Sequence, residues 1–265
     1  MVSNYILNYP LYILFGVLPS LIWLNFYLRK DVKPEPKSMI LKIFFYGMLA
    51  TLPTIFFETA IFGEFEKLNF SPSVIFILNI FLGTALAEEF LKFLVVKEKV
   101  LNSPEFDEPI DAMVYMIIAA LGFAAGENIL ILISAGNQGS AGGGLLFSLK
   151  SAFFGEIFEI SLLRFLGATF LHALSSAIIG FFIGLSFFEK RGRGKLIFVG
   201  LILAIILHGF YNFSIIKVEG NLKFLIPSAL LIISAIFVSF GFQKLKTLRI
   251  TKSTNNESIT KMRIP

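Results

Sequence analysis

Residues 71–96 read SPSVIFILNIFLGTALAEEFLKFLVV, and this apolar stretch decides the class of fold. A transmembrane helix needs about 20 predominantly apolar residues, and the stretch exceeds that length. Its second half carries Glu88, Glu89 and Lys92. A charged side chain near the centre of a bilayer costs about 3 kcal/mol on insertion scales, so such residues mark a functional site by default. We therefore expect a membrane protein whose function depends on these polar residues.

The composition of the whole chain agrees with a membrane protein. Its 265 residues are 56% hydrophobic with a mean hydropathy of +0.80, whereas soluble domains are about 45–50% apolar. The chain has no cysteine, which excludes disulfides, a thiol nucleophile and cysteine-ligated metals. The net charge of +5 comes from short connections and the tail. We therefore expect contact with anionic membrane lipids and no nucleic-acid partner.

Seven segments are long and apolar enough to cross a membrane. They are residues 6–28, 39–62, 72–96, 110–134, 160–188, 196–214 and 222–243. We predict an all-α, polytopic transmembrane bundle of about seven or eight helices that forms a single domain over residues 1–245. Residues 143–159 are too polar and short to cross, which predicts an interfacial or re-entrant helix. Residues 246–265 are polar and predict a disordered cytoplasmic tail.

Lys and Arg concentrate in every second connection between the predicted spans. The connections 29–42, 97–109 and 189–195 and the C-terminal tail are basic, whereas the intervening connections carry few Lys or Arg residues. Short loops rich in Lys and Arg stay on the cytoplasmic side. The pattern predicts an outside N-terminus and a cytoplasmic C-terminus, which agrees with an odd number of spans.

The third span holds two adjacent carboxylates and one ammonium. Lys92 follows Glu88 by four residues and Glu89 by three, so it can reach either carboxylate on a helix. One glutamate would then be held ionised, while the other takes a proton as the general base that activates water. The structural alternative is a neutralised Glu–Lys pair, which leaves the second carboxylate unexplained.

The fourth and fifth spans also carry polar residues. Glu127 and Asn128 end the sequence GFAAGEN of the fourth span, and a lone buried Glu can be protonated and merely hydrogen-bonded. In the fifth span, Arg164, His172 and Ser176 share one helix face at multiples of four residues. Further along that face Gly180 and Gly184 follow, and Gly122 and Gly126 lie in the fourth span, which predicts close helix contacts.

The sixth span places His208 and Asn212 four residues apart on one helix face. A single buried histidine is often only a hydrogen-bonded structural residue. Here, however, both histidines of the chain lie inside predicted spans beside small or amide-bearing residues. We therefore expect His172 and His208 to face one shared cavity together with Glu88, Glu89 and Glu127.

The motif set AEEFLK, DEPIDAMVYMIIAALGFAAGEN, LRFLGATFLHALSSAIIGFFIGL and LHGFYNF resembles the PrsW family of intramembrane proteases. That family is similar in turn to the CAAX-protease and bacteriocin-processing superfamily. The resemblance covers roughly residues 85–213 and implies a catalytic core at about 72–214. The catalytic residues that we predict are Glu88, Glu89, Lys92, Glu127, Asn128, His172, His208 and Asn212.

The resemblance implies hydrolysis of a peptide bond in a single-pass, membrane-anchored protein, and in some family members the substrate is an anti-sigma factor. We expect a glutamate to activate water, and His208 with Asn212, or His172, to stabilise the oxyanion. We also expect the protein to lie in the cytoplasmic membrane of a prokaryote.

The sequence is also compatible with a bound metal ion and with two other functions. A Zn²⁺ ion bound by Glu127, His172 and His208 is compatible with the residue types, although the motif H-E-x-x-H is absent. An ion- or proton-coupled transporter would use the same polar residues, but we find no internal repeat of the kind that many transporters show. A zinc-dependent membrane hydrolase that acts on lipid amides is the remaining alternative.

Overall fold

A computed structural model describes residues 9–30, 33–139, 151–189 and 191–254. Within these ranges the regular structure is helical throughout, which confirms the all-α prediction. The helices are α1 (Tyr9–Leu28), α2 (Lys37–Leu49), α3 (Thr51–Glu66), α4 (Pro72–Leu78), a π-helical segment (Asn79–Ala85), α5 (Leu86–Lys99), α6 (Asp111–Gly139), α7 (Ser151–Leu166), α8 (Ala168–Ser186), α9 (Arg193–Lys217) and α10 (Leu222–Thr254).

Seven helical stretches in the described part of the chain are long and apolar enough to cross a membrane, as predicted. They are Tyr9–Leu28, Lys37–Glu66, Pro72–Lys99, Asp111–Ala135, Ile157–Ser186, Arg193–Lys217 and Leu222–Leu248. Each overlaps one of the seven predicted spans.

Helix α6 lies at the centre of the bundle. Its most extensive contacts are with α8, α2 and α1, and residues 112–121 are all buried. The outer helices expose large apolar side chains instead, such as Phe56 (71% exposed), Phe198 (62%) and Ile236 (66%). Apolar groups that face lipid replace the polar surface of a soluble protein, so the exterior fits a bilayer.

Glycines allow α6 to touch its neighbours backbone to backbone. A Cβ atom at Gly122 would lie 2.0 Å from the carbonyl oxygen of Phe44 in α2, and one at Gly47 would lie 2.1 Å from the carbonyl oxygen of Ala119. A Cβ atom at Gly180 of α8 would lie 2.6 Å from backbone atoms at the start of α6. The predicted close contacts at Gly122 and Gly180 are therefore confirmed.

The third span is interrupted by the π-helical segment Asn79–Ala85, which the sequence did not predict. A π turn holds an extra residue and occurs often at functional sites. It is packed on two sides: a Cβ atom at Gly83 would lie 2.3 Å from the ring of Phe62 in α3, and one at Gly209 of α9 would lie 2.4 Å from the ring of Phe81. The segment leads directly into the helix turn that carries the two adjacent glutamates.

The connections after the first, third and fifth spans lie at the same end of the bundle. Lys33 forms an ion pair with Asp107, and the rings of Phe106 and Phe187 pack with their centroids 4.9 Å apart. These are the three connections in which basic residues concentrate. The basic connections predicted from the sequence therefore lie together at one end of the bundle.

Two predicted segments lie partly outside the described residues. Of the predicted interfacial helix, residues 143–150 are outside, and the rest belongs to α7, which continues towards α8 as part of the fifth span. Of the predicted tail, 255–265 are outside, whereas α10 continues through 246–254. Lys, Leu and Arg residues in this part favour helix, so the last helix extends beyond its apolar portion.

Candidate active site

Helices α5, α6, α8 and α9 bring their polar side chains together inside the bundle. The first turn of α5 supplies Glu88 and Glu89, and Lys92 follows one turn later. Helix α8 contributes His172, and α9 contributes His208, both only 2% exposed. The third to sixth spans therefore form one buried cluster, as the sequence predicted.

Glu89 is held by four hydrogen bonds. Its Oε1 accepts from Lys92 Nζ at 2.7 Å and Ser175 Oγ at 2.9 Å, and lies 2.8 Å from His208 Nδ1. Its Oε2 accepts from Ser176 Oγ at 3.1 Å. A fully buried carboxylate with these donors is stabilised in its ionised form, because each donor favours the charged state.

Glu88 has a different environment, although it is the next residue. Its Oε2 lies 3.6 Å from Lys92 Nζ, 3.6 Å from His172 Nδ1 and 3.8 Å from His208 Nε2. These separations exceed hydrogen-bond distance, and this buried oxygen has no hydrogen-bond partner among the described residues. Glu88 therefore has acceptor capacity to spare for a water molecule or a substrate group.

His172 is clamped between a cation and a carboxylate. Its Nδ1 lies 2.9 Å from Lys92 Nζ, and its Nε2 lies 2.8 Å from Glu127 Oε2. Because an ammonium only donates, Nδ1 is the acceptor and Nε2 carries the proton that it donates to Glu127. Arg164 approaches the same carboxylate oxygen with its guanidinium at 2.9 Å.

Asn128 supports this clamp from behind. Its amide donates to the carbonyl oxygen of Gly16 at 3.2 Å and to Thr169 Oγ1 at 3.1 Å. Its Oδ1 accepts a hydrogen bond from Arg164 Nε. Asn128 was predicted to be catalytic. In the structure it contacts Arg164 and not Glu127 itself, and so it fixes Arg164 against Glu127.

A cavity of about 270 Å³ gives access to the cluster. Five of the predicted residues line it, whereas Glu89, Lys92 and Asn128 lie behind its wall. The lining residues are Thr84, Glu88, Glu127, Arg164, Ala168, Leu171, His172, His208, Tyr211, Asn212, Ile215 and Ile216.

Comparisons with known proteins identify the family of this chain. The model of the PrsW family, described as an intramembrane metalloprotease, matches residues 35–242. The chain belongs to this family. The Protease PrsW of Geobacillus kaustophilus is 33% identical over 205 residues, 77% of this chain and 79% of the relative. The Protease PrsW of Oceanobacillus iheyensis is 33% identical over 198 residues, 75% and 80% of the two chains, and that of Bacillus subtilis is 29% identical over 214 residues, 80% and 86%.

No solved structure is significantly similar to the fold of this PrsW-family chain. Membership in the family establishes an intramembrane protease, which decides between the functions that the sequence left open. The transporter and the lipid amidase are thereby set aside.

The family description raises the question of a metal ion. Among the described residues, one ligand atom each of Glu88, His172 and His208 lies within 4.8 Å of the others. Two imidazoles and one carboxylate are a zinc-ligand set found in metalloproteases. The sequence-based set had Glu127 in place of Glu88, but Glu127 lies at the far nitrogen of His172.

Lys92 conflicts with a metal at this position. Its ammonium lies at the same nitrogen of His172, Nδ1, that faces Glu88. An imidazole nitrogen has one lone pair in the ring plane, so an ammonium and a metal ion cannot both use it. The arrangement of these side chains therefore does not fit a metal ion.

Three residues that take part in this cluster of side chains were not among the predicted catalytic set. Arg164 and Ser176 share a helix face with His172 at multiples of four residues, and this spacing was the signal for them. Ser175 carries no such signal, because its contact with Glu89 depends on how α5 and α8 pack.

Proposed function

We propose that this protease hydrolyses a peptide bond of a single-pass membrane protein with a water molecule that Glu88 activates. One observation carries the proposal: Glu88 lines the cavity and its Oε2 has no hydrogen-bond partner among the described residues, whereas its neighbour Glu89 is saturated with donors. A general base needs a free acceptor for the proton of the attacking water, and Glu88 offers a free acceptor on a residue that lines the cavity.

The oxyanion that forms on the scissile carbonyl needs donors on the same cavity wall. His208 and Asn212 lie one helix turn apart in α9, and both line the cavity. The Asn212 amide is a donor in any protonation state. His208 is bound to Glu89 through Nδ1, so its Nε2 faces Glu88. When Nε2 is protonated it donates to the oxyanion, and Glu89 stabilises the imidazolium.

His172, Glu127 and Arg164 have a positioning role in this proposal. Glu127 fixes the tautomer and the ring plane of His172, and Arg164 holds the Glu127 carboxylate in place. A fixed imidazole keeps the Lys92 ammonium, which donates to its Nδ1, close to Glu88. The same pattern, a histidine held by a carboxylate on its far side, orients catalytic histidines in hydrolases.

The cavity supports cleavage in the outer half of the membrane. Its lining extends to Ile215 and Ile216, near the end of α9 that lies opposite the basic connections. His208 precedes Lys217 by nine residues, or about 14 Å at the rise of an α-helix. If the basic connections face the cytoplasm, as we propose from the positive-inside rule, the cavity opens towards the outer side.

We further propose that the substrate is a single-pass protein, with membrane-anchored anti-sigma factors as candidates. The family resemblance supports this substrate class, and an apolar exterior with a polar internal cavity suits a substrate that arrives within the bilayer. The bacterial relatives support a prokaryotic cytoplasmic membrane as the location. Anionic lipids are the proposed partners of the basic connections.

The test is Glu88→Gln, assayed by cleavage of a membrane-anchored reporter in proteoliposomes. Gln is isosteric but takes no proton, so we expect turnover to fall by about 100-fold or more, a typical contribution of a general base. Glu66→Gln is the matched control, because that carboxylate is exposed at the end of α3. Full activity of Glu88→Gln in a correctly folded protein would overturn the mechanism.

A further inference from the structure

We propose that Lys92 is a built-in cation in the position that a metal ion would need, so that the site of this chain works without a metal. The inference deepens the proposed function and rests on Glu88 being the free carboxylate of the site. Glu88, His172 and His208 are residue types that suit a metal ion, but the ammonium of Lys92 lies among them.

The histidines are arranged as metal ligands usually are. A ligating histidine donates its other ring N–H to a carboxylate, which fixes the tautomer. Here Glu127 lies at Nε2 of His172, and Glu89 lies at Nδ1 of His208. Each imidazole therefore directs its remaining nitrogen at Oε2 of Glu88, at 3.6 and 3.8 Å.

A cation already occupies part of this position. Lys92 Nζ lies 2.9 Å from the nitrogen of His172 that would bind the metal, and 3.6 Å from Glu88 Oε2. A zinc–imidazole bond is about 2.0–2.1 Å long and lies along the lone pair. The Lys92 ammonium already uses this nitrogen as its acceptor, so the two cations exclude each other.

The contacts of Lys92 hold its ammonium in this position. It is fully buried and lies 2.7 Å from Glu89 Oε1, and its ammonium lies 4.8 Å from the ring centre of Phe123. Withdrawal would strand a buried carboxylate and remove the donor that fixes His172, and an uncompensated buried charge is strongly unfavourable. The ammonium also supplies the positive charge beside Glu88 that a metal would otherwise supply.

The experiment measures metal content, not activity. Purified wild-type protein, Lys92→Met and Lys97→Met are dialysed against Zn²⁺, desalted and analysed for bound metal, and Co²⁺ replaces Zn²⁺ for visible spectra. Met has about the length of Lys without its charge, and Lys97 lies on the same helix near its end. We expect no stoichiometric metal in the wild type or in Lys97→Met, and one ion per chain in Lys92→Met.

The site of the gained ion is tested with a second substitution. Adding His172→Ala or His208→Ala to Lys92→Met should abolish the bound metal and the Co²⁺ spectrum. One tightly held ion in the wild type that His172→Ala removes would overturn the inference, and so would a folded Lys92→Met that binds none.

If Lys92→Met does not fold, the wild type and His172→Ala alone decide the question. Equal metal content in the two supports the inference, and metal in the wild type only contradicts it. Because Glu88→Gln tests the water-activating base separately, the failure of either proposal is distinguishable from failure of the other.

Discussion

At the scale of single residues, the two adjacent glutamates show how one helix turn separates two tasks. Successive side chains on an α-helix differ in direction by about 100°. Glu89 therefore points at the serines of α8, whereas Glu88 points at the cavity. The sequence predicted that one carboxylate would be held by Lys92 and the other left free. Which one is free depends on the neighbouring helices, and no local pattern reports it.

The unequal contacts predict unequal effects on stability. Glu89→Gln leaves the buried Lys92 ammonium without its closest counter-ion, and breaking a buried pair in this way costs about 3 kcal/mol or more. Glu88→Gln should cost much less, because Glu88 Oε2 has no hydrogen-bond partner among the described residues. Thermal unfolding of both variants in detergent measures the difference. Equal losses would contradict the assignment of Glu89 as the structural carboxylate.

At the scale of elements, the helix contacts of α6 were predictable and the π-helical segment was not. Small residues four apart indicate close helix packing, and this pattern identified Gly122 and Gly180 correctly. The segment Asn79–Ala85 reads NIFLGTA, which is an ordinary sequence for a transmembrane helix. Hydrophobic periodicity does not register one extra residue in a turn. The π turn is stabilised by tertiary contacts of Phe81 and Gly83, which lie far apart in sequence from their partners.

A pair of Gly→Ala substitutions tests the backbone contacts of α6. Gly122→Ala should destabilise the protein, because the new Cβ would lie 2.0 Å from the Phe44 carbonyl oxygen and rigid backbone must move. Gly63→Ala is the matched control: it also lies in a helix, nothing lies within 4 Å of its Cβ, and Ala favours helix by up to about 1 kcal/mol. Thermal unfolding should show a loss at Gly122 and no loss at Gly63. A neutral Gly122→Ala would mean that α2 and α6 are not in backbone contact.

At the scale of the whole molecule, the sequence predicted the seven spans and the convergence of the third to sixth. Length and hydropathy suffice for the spans, because the bilayer sets a minimum number of apolar residues. We predicted that the third to sixth spans converge because lipid cannot accommodate their polar side chains. The sequence did not reveal which nitrogen of each histidine faces which carboxylate. Those contacts arise only when α8 and α9 pack against α5.

The orientation of the bundle in the membrane is tested with reporter fusions. The basic connections lie at one end, where Lys33 contacts Asp107 and Phe106 contacts Phe187. We expect fusions after residues 35, 103 and 192 to read as cytoplasmic, and a fusion after residue 140 to read as external. Alkaline phosphatase, active only outside, and a fluorescent protein, which folds only inside, give opposite signals at each site. A cytoplasmic signal at 140 would contradict the number of spans.

The hydrogen bond between Asn128 and the carbonyl oxygen of Gly16 has a consequence for any minimal version of this enzyme. A fragment that begins at residue 35 would contain every predicted catalytic residue, yet it would lack this carbonyl. Asn128 would lose one of the two acceptors of its amide, and through Arg164 the loss would reach Glu127. Because this contribution of α1 is a main-chain atom, it depends on the presence and position of the helix and not on the chemistry of the residue 16 side chain. The first helix thus serves as a brace for the site without contributing a reactive group.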